Sequence, residues 1–167
     1  MVLVLILSST PASAQFVSLV GGPPPVQDFN TLAASGSSST LPNGWYLAET
    51  DDNANSEYRA GDGSSNTGDT YSFGAGTDSE RAFGTLQSSS LVSRIGAQLR
   101  NDSGLAITEI TVNYTGEQWR LGATGRADTL KFEYSANATG LNDPAANWTP
   151  ALALDFDSPT TTGATGA

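Results

Sequence analysis

The sequence predicts an all-β fold, an antiparallel β-sandwich of the jelly-roll type. Short apolar runs, about nine in number, recur roughly every ten residues and predict strands. The stretches between them are rich in Gly, Ser, Thr, Asn and Asp, which favour turns. Charged residues make up only 14% of the 167 residues, whereas about a quarter is usual in globular domains. The chain is long enough to bury one hydrophobic core.

The first half of the chain contains five predicted strands, each bounded by turn residues. They cover residues 26–29, 44–49, 57–60, 70–74 and 81–86. In the second half, residues 95–99 and 130–134 alternate between apolar and polar or small side chains. Residues 148–154 predict one more strand. Pro150 marks it as an edge strand or a bulge, because proline donates no ladder hydrogen bond.

The clearest strand signal covers residues 106–114. Apolar residues and Thr occupy the even positions of this run, while Ile107, Glu109, Thr111 and Asn113 lie between them. Such period-two alternation is typical of a strand with one dry face and one wet face. The sequence therefore predicts that Ile110 and Val112 are almost fully buried and that Glu109 and Thr111 are more exposed.

The two ends of the chain differ in composition from its body. Residues 1–7 are almost continuously apolar, and Ala12-Ser13-Ala14 follows a short breaker, which predicts a signal peptide over residues 1–14. It is atypical, because no basic residue precedes the apolar run. We expect a Pro/Gly connector at 15–25, the β-sandwich module at 26–156, and a Ser/Thr/Gly-rich tail or truncated end at 157–167. The protein is expected to be secreted or held at the cell surface, without a membrane span.

Composition excludes several classes of chemistry. Without His or Cys the chain has no Ser-His-Asp triad, no thiol nucleophile and no zinc site of the ordinary type. A carboxylate pair, as in glycosidases, remains open, with Glu117, Asp128 and Glu133 as candidates. The net charge is −10, and the seven basic residues are scattered. Nucleic acid is therefore not an expected partner.

One polar stretch has the composition of a calcium site. Oxygen-bearing side chains stand at alternate positions from residue 51 to residue 55, and two further Asp residues follow. Ca²⁺ takes six to eight oxygen ligands. The candidate ligands are Asp51, Asn53, Asn55, Asp62 and Asp69. The alternative is a solvated turn whose side chains bond their own backbone.

Several segments resemble an N-terminal module of large secreted bacterial proteins, some of which carry extracellular nuclease domains or surface-sorting signals. The matching stretches are residues 29–32, 41–45, 68–74 and 80–84, and most strongly YTGEQWR at 114–120 and DTLKFEYS at 128–135. The resemblance implies that neighbouring domains follow in a longer protein. It also implies that the sandwich lacks its last strands. It implies no particular activity.

Glu117, Trp119 and Arg120 are the candidate ligand-binding residues of the first of these motifs. We expect Trp119 to point inward and pack with Ile110 and Phe132. Arg120 should then point outward and pair with Glu117 or Glu133, because neighbouring strand residues face opposite sides. In the rival arrangement Trp119 lies on the surface beside Glu117 and stacks on sugars.

Together these features predict a non-catalytic extracellular binding or adhesion module. Its expected ligand is a glycan or another surface component, with calcium as a candidate cofactor. The first alternative is a structural spacer domain, and the second is a carboxylate-dependent enzyme that resembles glycoside hydrolases. A glycan binder should expose two or more aromatic side chains on one face, whereas a spacer should bury them.

Overall fold

The computed structural model describes residues 15–23, 25–76 and 78–166, and it is essentially all-β, with 29% of residues in strands. The strands of these residues are β1 (Val17–Leu19), β2 (Ser37–Ser38), β3 (Trp45–Thr50), β4 (Tyr58–Gly61), β5 (Asp69–Phe73), β6 (Ala82–Leu86), β7 (Val92–Ala97), β8 (Leu99–Asn101), β9 (Thr129–Leu130), β10 (Glu133–Tyr134), β11 (Thr149–Pro150) and β12 (Phe156–Asp157). A 3-10 helix spans Leu152–Leu154. The prediction of an all-β, sandwich-like fold is confirmed, and the sheets do not close into a barrel.

A four-stranded sheet in the order β2-β4-β5-β6 forms one layer. β4 and β5 run parallel, and the other two pairs are antiparallel. All five residues of β5 are buried. Because side chains alternate along a strand, Tyr71 and Phe73 lie on one side of β5, and Thr70 and Ser72 lie on the other. Both sides of this strand are therefore covered.

The antiparallel pair β3–β7 forms the facing layer, with a ladder of six residue pairs. Side chains of both layers meet in one hydrophobic core. Its members are Leu32, Tyr58 and Phe83, with Phe29, Ala33, Leu41, Trp45, Leu47 and Ile95 packed against them. The ring of Trp45 meets that of Phe29 edge-on, with 4.6 Å between centroids. Trp45 is therefore part of the core.

Arg81 is buried against the four-stranded sheet, although the sequence alone gives no sign of this. Its Nε donates to the hydroxyl of Ser72 at 2.8 Å, and Nη2 donates to the Ser72 carbonyl. Its backbone N–H donates to Oδ1 of Asn30 at 2.9 Å. Gly74 leaves the room that the guanidinium fills, since a Cβ there would overlap Nη1. Nη1 has no hydrogen-bond partner within the described part of the chain.

Three two-stranded sheets contain the remaining strands of the described residues. β1 and β8 are parallel, while β9 pairs with β12 and β10 with β11 in antiparallel fashion. β1 lies inside the segment 15–25, which the sequence predicts as a connector. Part of that segment is therefore a strand of the fold. The tail is held to the body as well: the Gly125 N–H donates to the Thr161 carbonyl at 2.7 Å, and the Gly166 N–H donates to the Leu121 carbonyl at 3.0 Å.

Five predicted elements differ in the structure, and two of them are divided: 95–99 between β7 and β8, and 130–134 between β9 and β10. Residues 26–29 are not a strand, and the predicted strand 148–154 is replaced by β11 and the 3-10 helix. The prediction for 106–114 is wrong, because no strand forms there and Ile110 and Val112 are 53% and 36% exposed. An alternating segment buries one face only where another layer covers it. No described element covers this segment, so both of its faces meet solvent.

The predicted signal peptide at 1–14 lies outside the described residues. Within residues 15–23, 25–76 and 78–166, no helix is both long enough and apolar enough to cross a membrane.

Candidate functional site

Trp119 stacks on Phe73 of the four-stranded sheet. Its ring lies parallel to that of Phe73, with 5.9 Å between centroids and 8° between planes. Phe73 in turn stacks on Tyr71 at 4.9 Å. The expected packing of Trp119 with Ile110 and Phe132 is therefore wrong. The ring is half-buried against β5 and supported on one face by Phe73.

Glu117 and Trp119 contact each other at the edge of the indole. Nε1 of Trp119 donates to Oε2 of Glu117 at 2.9 Å. Glu117 is exposed, so its other oxygen faces solvent. This arrangement combines features of both sequence-based alternatives. The indole is packed on the sheet, as in the structural alternative, and the carboxylate lies beside it, as in the ligand-binding alternative.

Arg120 binds backbone rather than an acid. Its Nη1 donates to the carbonyl oxygens of Gly63, Ser64 and Gly166 at 3.0–3.2 Å. Ion pairs of the described residues join Arg59 to Asp69, Arg100 to Asp102 and Arg126 to Asp128. The expected pairing of Arg120 with Glu117 or Glu133 is therefore wrong. We call the packing of residues 117–120 on the loop after β4 the 117–120 clasp.

Gly63 makes the clasp possible. Its φ of +88° is in the left-handed region, and a Cβ on it would overlap the carbonyl oxygen of Trp119. Glycine adopts this conformation without steric cost and leaves space for the close approach. The clasp therefore depends on one small residue in a loop that the sequence describes only as rich in Gly, Ser and Asn.

The candidate calcium ligands come from three segments of the chain, and two of them, Asn55 and Asp69, line one cavity. Asp51, Asn53 and Asn55 are in the loop after β3, Asp62 follows β4, and Asp69 begins β5. Oδ1 of Asn55 accepts the Glu57 N–H at 2.7 Å, as expected of a self-bonded polar turn. The described residues contain no group of three or more His, Cys, Asp or Glu that could hold a metal ion.

Asp62 and Asp69 have opposite electrostatic environments. Oδ1 of Asp62 accepts both the hydroxyl and the backbone N–H of Ser64, at 2.6 and 3.0 Å, and these bonds lower the pKa of Asp62. Asp69 is buried, and burial followed by the charge of Glu49 raises the pKa of Asp69. Nε of Arg59 lies 3.5 Å from Oδ2 of Asp69. The two carboxylates are thus in different chemical settings.

Glu49 and Asp69 form a buried pair of acids that sequence reasoning missed. Glu49 is 8% exposed and Asp69 is 6% exposed. Oε1 of Glu49 accepts the N–H and the hydroxyl of Thr70 at 2.9 and 2.8 Å, and Oε2 accepts the N–H of Asn55 at 3.0 Å. Glu49 therefore ties β3 to β5 and to the 51–56 loop. The only sequence signal was a Glu in a strand pattern, which ordinarily predicts a solvent-facing side chain.

Two exposed tyrosines lie near Phe132, one stacked on its ring and one two residues along the chain. Tyr114 is 43% exposed and Tyr134 is 57% exposed. The rings of Tyr114 and Phe132 stack with 6.3 Å between centroids and 22° between planes. The Tyr114 hydroxyl donates to the carbonyl of Leu154, which fixes the ring.

Phe132 and Tyr134 project to the same side of their strand. Tyr134 pairs with Thr149, and the Ala151 N–H donates to the Phe132 carbonyl at 2.9 Å, so the ladder continues through Phe132. Residues two apart in such a ladder share a face. Tyr114 stacks on Phe132, and the ladder directs Tyr134 to the side of Phe132, so we call these three residues the aromatic row. The sequence contains the alternation that aligns Phe132 with Tyr134, but not the approach of Tyr114.

No family model, curated protein or solved structure matches this chain.

Proposed function

We propose that this protein is a non-catalytic binding or adhesion module that works outside the cell and binds glycan through the aromatic row. The observation that carries the proposal is the exposure of two tyrosines on the face that Phe132 shares. Large aromatic side chains are usually buried, because they dominate core energetics. A domain that leaves two of them exposed in line with a third has the feature expected of a binder rather than of a spacer.

The chemistry of the row suits a sugar. A pyranose ring presents C–H groups on its faces and hydroxyls around its edge. Tyr134 offers an apolar ring and a hydroxyl that both donates and accepts hydrogen bonds. Tyr114 is already oriented by its bond to Leu154, so little side-chain entropy is lost when a ligand binds. A flat glycan chain that lies along the row would contact successive rings.

One sequence feature supports a location outside the cell, and the acids and the composition support binding rather than catalysis. The apolar start and the Ala-x-Ala sequence at 12–14 are typical of an exported protein. The carboxyl groups of Glu49 and Asp69 are both buried, and Glu49 is bonded to Thr70 and to the Asn55 N–H. Glycosidase chemistry needs two carboxyl groups on either side of the scissile bond. The absence of His and Cys from the sequence removes the commonest general base and the thiol nucleophile.

Replacement of Tyr134 by Ala should weaken glycan binding while the fold is retained, because the side chain is largely exposed. The probes are immobilised cellulose, chitin, xylan and peptidoglycan, and affinity is measured by depletion from solution. We expect at least about a tenfold rise in Kd for whichever polymer binds the natural protein, equivalent to about 1.4 kcal/mol.

Val26→Ala is the matched control, because Val26 is an 89% exposed apolar side chain outside the aromatic row. Circular dichroism verifies that both variants remain folded. If the natural protein binds none of the four polymers, or if Tyr134→Ala binds like Val26→Ala, the aromatic row is not a glycan platform and the spacer alternative is favoured.

A further inference from the structure

We propose that residues 106–114 are a dimerisation edge, on which the same segment of a second copy pairs as an antiparallel strand. The inference goes beyond the proposed function and does not depend on it. We call these residues the edge segment.

The edge segment has the alternating sequence of a strand but lacks the backbone hydrogen bonds that a strand makes. Over residues 106–117, no backbone N–H or C=O group takes part in a hydrogen bond within the described part of the chain. The run contains no proline, so every residue offers a donor and an acceptor. A free backbone of this kind is a template for an incoming strand.

Its side chains also lack cover. Ile107, Ile110, Val112 and Tyr114 are 38%, 53%, 36% and 43% exposed. β-Branched and aromatic residues of this type favour a pleated, half-buried surface. The devices that usually prevent strand addition are an edge lysine, a proline or a bulge. The edge segment has neither lysine nor proline, and its single charged residue is Glu109.

The segment is complementary to itself. In an antiparallel pair centred on Ile110, each Thr108 lies opposite Val112 of the other copy, and each Ala106 lies opposite Tyr114. On the second face, Ile107 meets Asn113 and Glu109 meets Thr111. No two like charges are opposed, whereas centring the pair on Glu109 would place two carboxylates directly opposite each other, which is destabilising.

The dimensions are sufficient for a specific pair. Nine residues extend about 30 Å at roughly 3.4 Å per residue. A two-fold axis through the pair uses the same surface on both copies, which is the commonest symmetry of soluble dimers. Ile110 and Val112 of both copies would then form one continuous stripe, and their exposure would fall on association.

Sedimentation velocity of the full chain over a wide concentration range tests the proposal. The natural protein should show a monomer–dimer equilibrium. Ile110→Lys places two ammonium groups opposite each other at the centre and should abolish the dimer. Leu152→Lys is the matched control, because Leu152 is 76% exposed outside the edge segment, and it should dimerise like the natural protein.

Two substitutions of opposite charge at position 111 test the register of the proposed pair. In Thr111→Lys, each new lysine lies opposite Glu109 of the other copy. The dimer gains two pairs of opposite charge and should be tighter. Thr111→Glu opposes two carboxylates to two others and should weaken it by at least about tenfold relative to the lysine variant. The proposal is overturned by a protein that stays monomeric at every concentration, by a dimer that survives Ile110→Lys, or by equal affinities for the two variants at position 111.

Discussion

At the scale of single residues, Asp69 links the stability of the protein to pH. Its pKa is raised in the folded state by burial and then by Glu49. The folded protein therefore holds this proton more tightly than the unfolded chain does. The stabilising contribution is fully present below the unfolded pKa of 3.8 and is lost as the pH rises through the higher folded value.

Replacement of Asp69 by Asn should remove this pH dependence. Relative to Asp69→Asn, the natural protein should lose unfolding free energy as the pH rises from about 4 toward neutrality, because only its carboxyl group ionises. Urea unfolding at a series of pH values measures the difference. Asp143→Asn is the control, since hydrogen bonds from Thr139 and Ala145 lower the pKa of Asp143. Its contribution should instead be lost as the pH falls. Parallel curves for the natural protein and Asp69→Asn would contradict the assignment.

Sequence patterns predicted residue environments poorly where a polar side chain is buried. Arg81 and Glu49 occupy positions that ordinarily face solvent, because long charged residues are rarely buried. Their burial depends on partners far apart in the chain, such as Asn30 for the backbone of Arg81. A linear pattern contains no record of such partners. Trp119 was misplaced for the same reason, since its partner Phe73 belongs to a different strand.

At the scale of elements, the 117–120 clasp should fail if Gly63 acquires a side chain. A Cβ there would overlap the Trp119 carbonyl, so Gly63→Ala should displace the clasp and free the end of the chain. Amide hydrogen exchange at Gly166 should accelerate, because its N–H donates to the Leu121 carbonyl just beyond the clasp. Gly104→Ala is the control, with a similar φ of +73° but nothing within 4 Å of the added Cβ.

Unchanged protection of Gly166 in Gly63→Ala would mean that the tail is held without the clasp. A similar loss of protection in both variants would point to backbone strain, because both positions have positive φ and an alanine is strained there.

The strands predicted correctly are those that pair with another strand in the two layers around the core. Residues 44–49, 57–60, 70–74 and 81–86 were placed within about a residue of β3, β4, β5 and β6. These strands pair with each other or with β7 and share one core, so local alternation and tertiary packing agree. The edge segment shows the converse, because its alternation is stronger but no described strand pairs with it. Part of the candidate site could be predicted in the same way: alternation aligns Phe132 with Tyr134, while Tyr114 joins them through a contact that no pattern specifies.

At the scale of the whole molecule, the net charge of −10 opposes association. Two such copies repel one another, and dissolved ions screen this repulsion over about 10 Å at 0.1 M salt. The dimer is held mainly by backbone hydrogen bonds and apolar contacts, which salt does not screen. Its dissociation constant should therefore fall as sodium chloride is raised from low to physiological concentration, as sedimentation measures. A dissociation constant that rises with salt would show that attraction between charges holds the copies together.

The pairing of β1 with β8 constrains the order in which the molecule assembles. Val17 lies beside Leu99, about eighty positions later in the chain. Contacts of such long sequence separation carry a large loop-closure cost and form slowly. When the chain emerges from its amino end, whether from the ribosome or through a translocation channel, β1 comes out early. It then stays unpaired until residue 101 has emerged. The first described strand to appear therefore pairs only after β8, seven strands later, has emerged.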